Sequence, residues 1–185
     1  MLAECREMAD CYFQSPDAKP LTKALLQELL KRAEQRPRRT DPMPGCILNT
    51  ELNSGNFLVD EDGTAFLVDW EKPILGEAAQ DLGHFLAPTT TCWKTDVILS
   101  RQEKLEFLKH YQGFRENPVS LEQLVARTGE YEAMNCLRGV SWCAMAWVEY
   151  QSPDRPIRNG ETFRKIEAYL QREFLEGILT RDFEP

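Results

Sequence analysis

The sequence predicts a mainly α-helical (α+β) fold that contains one short β-hairpin. Most of the 185 residues lie in segments whose apolar side chains recur at steps of three and four, which is the spacing of an amphipathic helix. Two short apolar runs, Phe57–Val59 and Ala65–Val68, instead flank a turn that contains Asp62 and Gly63. Such a turn favours a hairpin. Strands and helices do not alternate along the chain, so a doubly wound α/β fold is excluded.

The N-terminal part predicts two helices and a strand. Residues 2–13 carry an apolar stripe at helical spacing. Residues 20–36 begin with a proline, repeat leucine along one face and end before Pro37, where a helix is expected to stop. The short apolar run Cys46–Leu48 is compatible with a strand that precedes the hairpin.

The part after the hairpin predicts mostly helix. Asp81–Leu86 is typical of the first turns of a buried helix, which we expect Pro88 to cut short. Ser100 and Glu103 have the spacing of a capping box, and Ser120 begins a second motif of the same kind. Further helices are predicted over residues 101–114, 130–151 and 161–179.

Length and composition favour a single globular domain over residues 1–185. Its predicted parts are a helical segment at 1–45, a segment with the hairpin at 46–86, and a helical subdomain at 87–185. The formal net charge of −8 and the lack of a long basic cluster argue against nucleic-acid binding. No apolar stretch approaches the roughly 20 residues that span a bilayer. The six cysteines form no C-x-x-C pair, which favours a reduced, cytoplasmic protein. Cys136 and Cys143 lie seven residues apart in an apolar run, so we expect both to be buried free thiols.

Polar side chains gather at the open end of the predicted hairpin. Asn56 precedes the first strand and Asp69 follows the second, so both are expected near the same point. A carboxylate after a buried strand needs a partner, and an amide and a carboxylate oxygen suit Mg²⁺, whose shell water and substrate phosphates complete. From these residues alone, a metal site and structural capping are equally compatible with the pattern.

The same segment resembles the catalytic region of the aminoglycoside phosphotransferase and choline kinase family, whose fold is similar to that of protein kinases. The resemblance rests on Glu51-x-x-x-x-Asn56, on Val68-Asp69-Trp70 after the hairpin, and on Asp81-Leu82. It implies that Asn56 and Asp69 bind Mg²⁺ and that Asp81 braces the catalytic loop. It also implies ATP as the phosphate donor and a small molecule with a hydroxyl group as the acceptor.

The catalytic loop departs from the family pattern H-x-D-x-x-x-x-N at two positions. Asn49 stands in place of the histidine and Glu51 in place of the aspartate, so these two are the candidate catalytic residues. Glu51 would orient or deprotonate the acceptor hydroxyl. Its extra methylene moves the carboxylate by about 1 Å, and a shift of that size can lower a rate about a hundredfold.

Helical sequence, with no Gly-rich loop, precedes the catalytic segment. The resemblance therefore implies a C-terminal lobe whose N-terminal lobe was lost or is supplied by another chain, with weak ATP binding. Two hypotheses follow: an impaired phosphotransferase, and a non-catalytic, pseudokinase-like binding module. The second predicts an exposed apolar face near the hairpin that forms a homodimer or binds another protein, unless the stripe at residues 2–13 covers it.

Overall fold

The structure is a computed structural model that describes residues 1–37, 40–41, 43–116, 119–152 and 158–183. It is mainly helical, which confirms that part of the predicted fold class, and it has two small antiparallel sheets where the sequence predicts one hairpin. The chain divides into two compact units. The first contains Met1–Pro37 and Ala133–Pro185, and the second contains Arg38–Glu132. The expectation of a single domain stays a prediction.

The described residues form eight α-helices and four β-strands, and a 3₁₀ turn at Ser54–Asn56 precedes the hairpin. The elements are α1 (Leu2–Gln14), α2 (Pro20–Gln35), β1 (Gly45–Leu48), β2 (Phe57–Val59), β3 (Ala65–Leu67), β4 (Ile74–Glu77), α3 (Ala78–Leu86), α4 (Pro88–Thr95), α5 (Arg101–Gly113), α6 (Leu121–Gln151), α7 (Gly160–Tyr169) and α8 (Arg172–Asp182).

The first unit is helical, and its two N-terminal helices lie where the sequence predicts them. In this unit α2 packs against both α1 and α8. The apolar stripe of α1 is buried, as an amphipathic helix requires. Its buried side chains are Cys5, Met8, Ala9 and Tyr12.

Two helix predictions in the C-terminal half are wrong in their bounds. The helix expected at 130–151 begins at Leu121, where the Ser120 hydroxyl accepts a hydrogen bond from the Gln123 amide at 3.1 Å. No proline interrupts this segment, so one helix continues through it. The helix expected at 161–179 is instead two helices, α7 and α8. Between them, the buried carbonyl of Leu170 accepts a hydrogen bond from the Thr22 hydroxyl at 3.2 Å rather than continuing the helical ladder.

The second unit contains both sheets and a small apolar core. β1 pairs with β4 from Gly45↔Glu77 to Leu48↔Ile74, and β2 pairs with β3. α3 ends at Leu86, just before Pro88, as the sequence predicts. β4 and α4 were missed by the sequence prediction, because β4 is too short to show a period and because Pro88 also occupies the first position of a new helix. The core side chains of this unit are Ala78, Leu82, Leu86, Leu108 and Leu124.

The hairpin is more exposed than the sequence predicts. All three residues of β2 are exposed, and so are Ala65 and Phe66 of β3. The prediction that Asp69 follows a buried strand is therefore wrong. Asp69 itself is also exposed, since both faces of the hairpin carry exposed side chains.

All six cysteines lie in the described part of the chain and form no disulfide there, and three of them are buried: Cys5, Cys136 and Cys143. The expectation that Cys136 and Cys143 are buried thiols is confirmed, whereas Cys11 on α1 is exposed. In the described parts of the chain, no helix combines the length and the apolarity needed to cross a bilayer.

Close packing at Gly83 sets the position of α3 against α6 within the second unit. A β-carbon at Gly83 would lie 2.7 Å from the Glu132 amide nitrogen, 2.7 Å from the Tyr131 β-carbon and 2.8 Å from the Thr128 carbonyl oxygen. These distances are below van der Waals contact, and two of the three atoms are backbone. Only glycine therefore allows the two helices to approach this closely.

We expect Gly83→Ala to lower the free energy of unfolding by about 1–3 kcal/mol, because the added methyl group forces the helices apart. Gly129→Ala on α6 is the matched control, since nothing lies within 4 Å of its β-carbon position. Alanine there should stabilise the helix by up to about 1 kcal/mol. Urea denaturation followed by circular dichroism measures both changes. A Gly83→Ala protein as stable as the Gly129→Ala protein would contradict the packing.

Candidate active site

Asp81, in the first turn of α3, holds the beginning of the loop at residues 49–56. Its Oδ2 accepts a hydrogen bond from the Asn49 amide at 2.7 Å, and its Oδ1 accepts one from the Thr50 amide at 3.0 Å. Thr50 has a φ of +73°, a left-handed conformation that is strained for a β-branched residue. The two charge-assisted hydrogen bonds hold the backbone in this conformation.

Asn49 joins the loop to the end of the hairpin. Its side chain is buried, and its Nδ2 donates to the Asp69 carbonyl at 2.9 Å and, over 3.4 Å, to the Val68 carbonyl. Its Oδ1 accepts a hydrogen bond from the Glu51 amide at 3.2 Å. One amide group thus fixes the backbone on both sides of the candidate site.

Asn56 and Asp69 both lie at the open end of the hairpin. Asn56 is buried, and its carbonyl accepts a hydrogen bond from the Val68 amide at 2.9 Å, so it lies across the ribbon from the residue before Asp69. Its Nδ2 donates to the Glu51 carbonyl at 3.2 Å. That bond fixes the orientation of the amide and leaves its oxygen as an acceptor for another group.

Asp69 has two features that are common at functional sites. Its φ of +66° is left-handed, and such backbone persists only where its surroundings impose it. Within the described residues, its carboxylate makes no hydrogen bond and no ion pair. An exposed carboxylate in an imposed conformation has its charge available for a ligand.

Glu51 is held by its backbone rather than by its side chain. Its amide donates to the Asn49 side chain, and its carbonyl accepts from the side-chain amides of Asn53 (2.8 Å) and Asn56 (3.2 Å). The residue is exposed. The backbone of the candidate base is therefore fixed while its carboxylate remains accessible to solvent.

An ion pair anchors the start of α3 and was not predicted from the sequence. The Arg127 guanidinium binds Glu77 through Nε–Oε2 at 2.6 Å and Nη2–Oε1 at 2.9 Å, and it reaches Glu130 at 3.2 Å. The hydrogen bonds from Arg127 lower the pKa of the Glu77 carboxyl below its usual range. Glu77 and Arg127 are 50 residues apart, and no local pattern signals such a pair.

The oxygen atoms of Asn56 and Asp69 are the pair that the sequence suggests for a metal. No cluster of three or more His, Cys, Asp or Glu side chains suited to a metal occurs among the described residues. Mg²⁺ binds through one or two carboxylates together with water and substrate phosphates. A dedicated protein cage is therefore not needed for this ion.

Comparison with known protein families shows which family the chain belongs to. A family model described as "Phosphotransferase enzyme family" (APH) matches residues 6–122, more than half of the chain. The chain belongs to this phosphotransferase family. The resemblance inferred from residues 46–86 is thereby confirmed at the level of the family. No curated protein and no solved structure matches the chain.

Membership of the phosphotransferase family extends beyond the catalytic segment. The matched region includes most of α1, all of α2, both sheets and α3 to α5. Membership supports kinase-like phosphoryl transfer as the general chemistry. The roles of Asn49, Glu51, Asn56, Asp69 and Asp81 stay predictions, and so does the assignment of the chain to a C-terminal lobe.

We expect Asp81→Ala to release the start of the loop. Hydrogen exchange at the Asn49 and Thr50 amides should become at least about tenfold faster, because a hydrogen bond to a charged group contributes roughly 1.5–3 kcal/mol. Residue-resolved exchange measured by NMR reports both amides. Asp62→Ala, in the exposed hairpin turn, is the matched control and should leave both rates unchanged. Equal exchange in all three proteins would show that Asp81 does not hold the loop.

Proposed function

We propose that this chain is a phosphotransferase that transfers the terminal phosphate of ATP to a hydroxyl group of a small molecule. The observation that carries the proposal is the buried side chain of Asn49, which links the loop that contains Glu51 to the hairpin end that contains Asp69. Family membership supplies the class of chemistry. The geometry supports a site in which a base and two metal ligands keep fixed relative positions.

Asn56 and Asp69 would hold Mg²⁺ in this proposal. The donor set fits the ion, since a hard cation prefers an amide oxygen and a carboxylate. The orientation of the Asn56 amide and the free carboxylate of Asp69 support the assignment. When bound, Mg²⁺ would neutralise the charge that develops on the donor phosphates.

Glu51 would orient the acceptor hydroxyl and accept its proton. Its backbone is held at both its amide and its carbonyl, which favours a defined position for the carboxylate. Asn49 is buried and hydrogen-bonded to backbone groups, so we assign it a positioning role rather than direct contact with the substrate. The additional methylene of Glu51 predicts a slow enzyme rather than an inactive one.

Asp69→Asn tests the proposed function, because it removes the charge but keeps the size of the side chain. We expect the Mg²⁺-dependent formation of ADP with aminoglycosides, choline and other small alcohols to fall at least about a hundredfold. Asp62→Asn in the hairpin turn is the matched control and should retain wild-type activity. Wild-type protein that makes no phosphorylated product with any of these acceptors would sink the proposal.

A second candidate function is the non-catalytic binding module, and one observation favours it. Two cross-strand apolar pairs near the site are exposed in the second unit. Ile47 and Leu75 on β1 and β4 are 66% and 83% exposed, and Leu58 and Phe66 on β2 and β3 are 55% and 54% exposed. Apolar groups that are adjacent and exposed favour association with another protein surface.

The second candidate predicts that the chain forms a homodimer through these pairs. Leu75→Asp should raise the dimer dissociation constant at least about tenfold in sedimentation velocity experiments, because a buried charge would lack a partner. Phe114→Asp is the matched control, since Phe114 is 89% exposed but lies outside both two-stranded sheets. Phosphoryl transfer by the purified chain, or identical sedimentation of the two variants, would count against this candidate.

A further inference from the structure

Lys94 lies over the 3₁₀ turn of the candidate catalytic loop. It is in the last turn of α4, and α4 packs against the turn Ser54–Asn56 within the second unit. A β-carbon placed on Gly55 would be 3.7 Å from the Lys94 ammonium nitrogen and 3.9 Å from its Cε atom. The ammonium group therefore lies next to the residue that directly precedes Asn56, a proposed metal ligand.

Lys94 is exposed and has no partner among the described side chains. Within the described residues its ammonium makes no hydrogen bond and no ion pair, and the turn beneath it is built from neutral residues. Residues 40–100 contain ten carboxylate side chains and only two lysines, Lys72 and Lys94. A lysine in the last turn of a helix also complements the helix dipole. That role accounts for its place on α4 but not for the position of its side chain over Gly55.

We propose that Lys94 forms an oxyanion subsite at the turn Ser54–Asn56. Its ligand is a phosphate or carboxylate group, which the phosphate donor or the acceptor molecule would bring. A lysine ammonium acts on such a group as a compact point charge with three donors. The assignment rests on the proposed function, because it treats this loop as the place where the substrates meet.

Chemical labelling of the wild-type protein tests the subsite directly. Each lysine is acetylated with limiting acetic anhydride, and its rate of modification is measured by peptide mass spectrometry. Tripolyphosphate with Mg²⁺ represents the donor phosphates, and glycerate represents an anionic acceptor. We expect at least one of these probes to slow the modification of Lys94 about fivefold while Lys72 changes less than twofold.

The source of the anion follows from which probe protects Lys94. Protection by tripolyphosphate alone assigns the subsite to the donor, and protection by glycerate alone assigns it to the acceptor. Either result supports the proposal. Lack of protection by both probes, or equal protection of Lys72 and Lys94, would overturn it.

Variants separate the subsite from the proposed function. Lys94→Met should weaken binding of the protecting probe about fivefold, the upper range for an exposed ion pair, while Lys94→Arg should keep most of the affinity. Lys72→Met is the matched control and should bind like wild type. Protection of Lys94 in a protein without phosphoryl transfer would refute the proposed function alone. Transfer by a protein in which Lys94 is unprotected would overturn the subsite alone.

Discussion

The two hydrogen bonds that the Asp81 carboxylate accepts from the Asn49 and Thr50 amides are the constraint on which the candidate site depends. A left-handed, β-branched residue such as Thr50 costs of the order of 1–3 kcal/mol. Each charge-assisted hydrogen bond contributes roughly 1.5–3 kcal/mol, so the pair offsets this strain. The resulting turn aims the Asn49 side chain at the hairpin, where it meets the Asp69 carbonyl. If these two hydrogen bonds broke, Asn49 would no longer connect the loop at residues 49–56 to the end of the hairpin.

The position of Asp81 is in turn a consequence of how α3 is anchored. Gly83 allows α3 to approach α6 on one side of Asp81, and the ion pair between Glu77 and Arg127 fixes the start of the helix on the other. A partly buried ion pair adds little net stability because its charges lose hydration. Its geometry is nevertheless specific, since the guanidinium binds the carboxylate through two atoms. We infer that this pair contributes mainly to the placement of α3.

Local features were predictable from the sequence, whereas contacts between distant elements were not. Helical periodicity predicted α1 and α2, and the Asp62-Gly63 turn predicted the hairpin, since both signals act within a few residues. The resemblance carried by Asn56, Asp69 and Asp81 predicted the family. The ion pair of Arg127 with Glu77 and the position of the Lys94 side chain near Gly55 were not predictable. Each is a contact between elements that are far apart in the sequence. The exposure of the hairpin was also missed, since an apolar run does not reveal whether anything covers it.

The hydrogen bonds of Asn49 bear on how much the altered loop sequence matters. A neutral histidine at this position would offer one ring nitrogen as a donor and the other as an acceptor. Asn49 also uses one donor and one acceptor, toward the Asp69 carbonyl and the Glu51 amide, and its amide does not titrate. Asn49 therefore makes the two kinds of hydrogen bond that a neutral histidine could make at this position. Glu51 in place of the family's aspartate is a different change, because it alters the length of a side chain and not its hydrogen-bonding groups. The backbone of Glu51 is held in place. Under the proposed role of Glu51 as the base, the rate of phosphoryl transfer depends on where its longer side chain places the carboxylate.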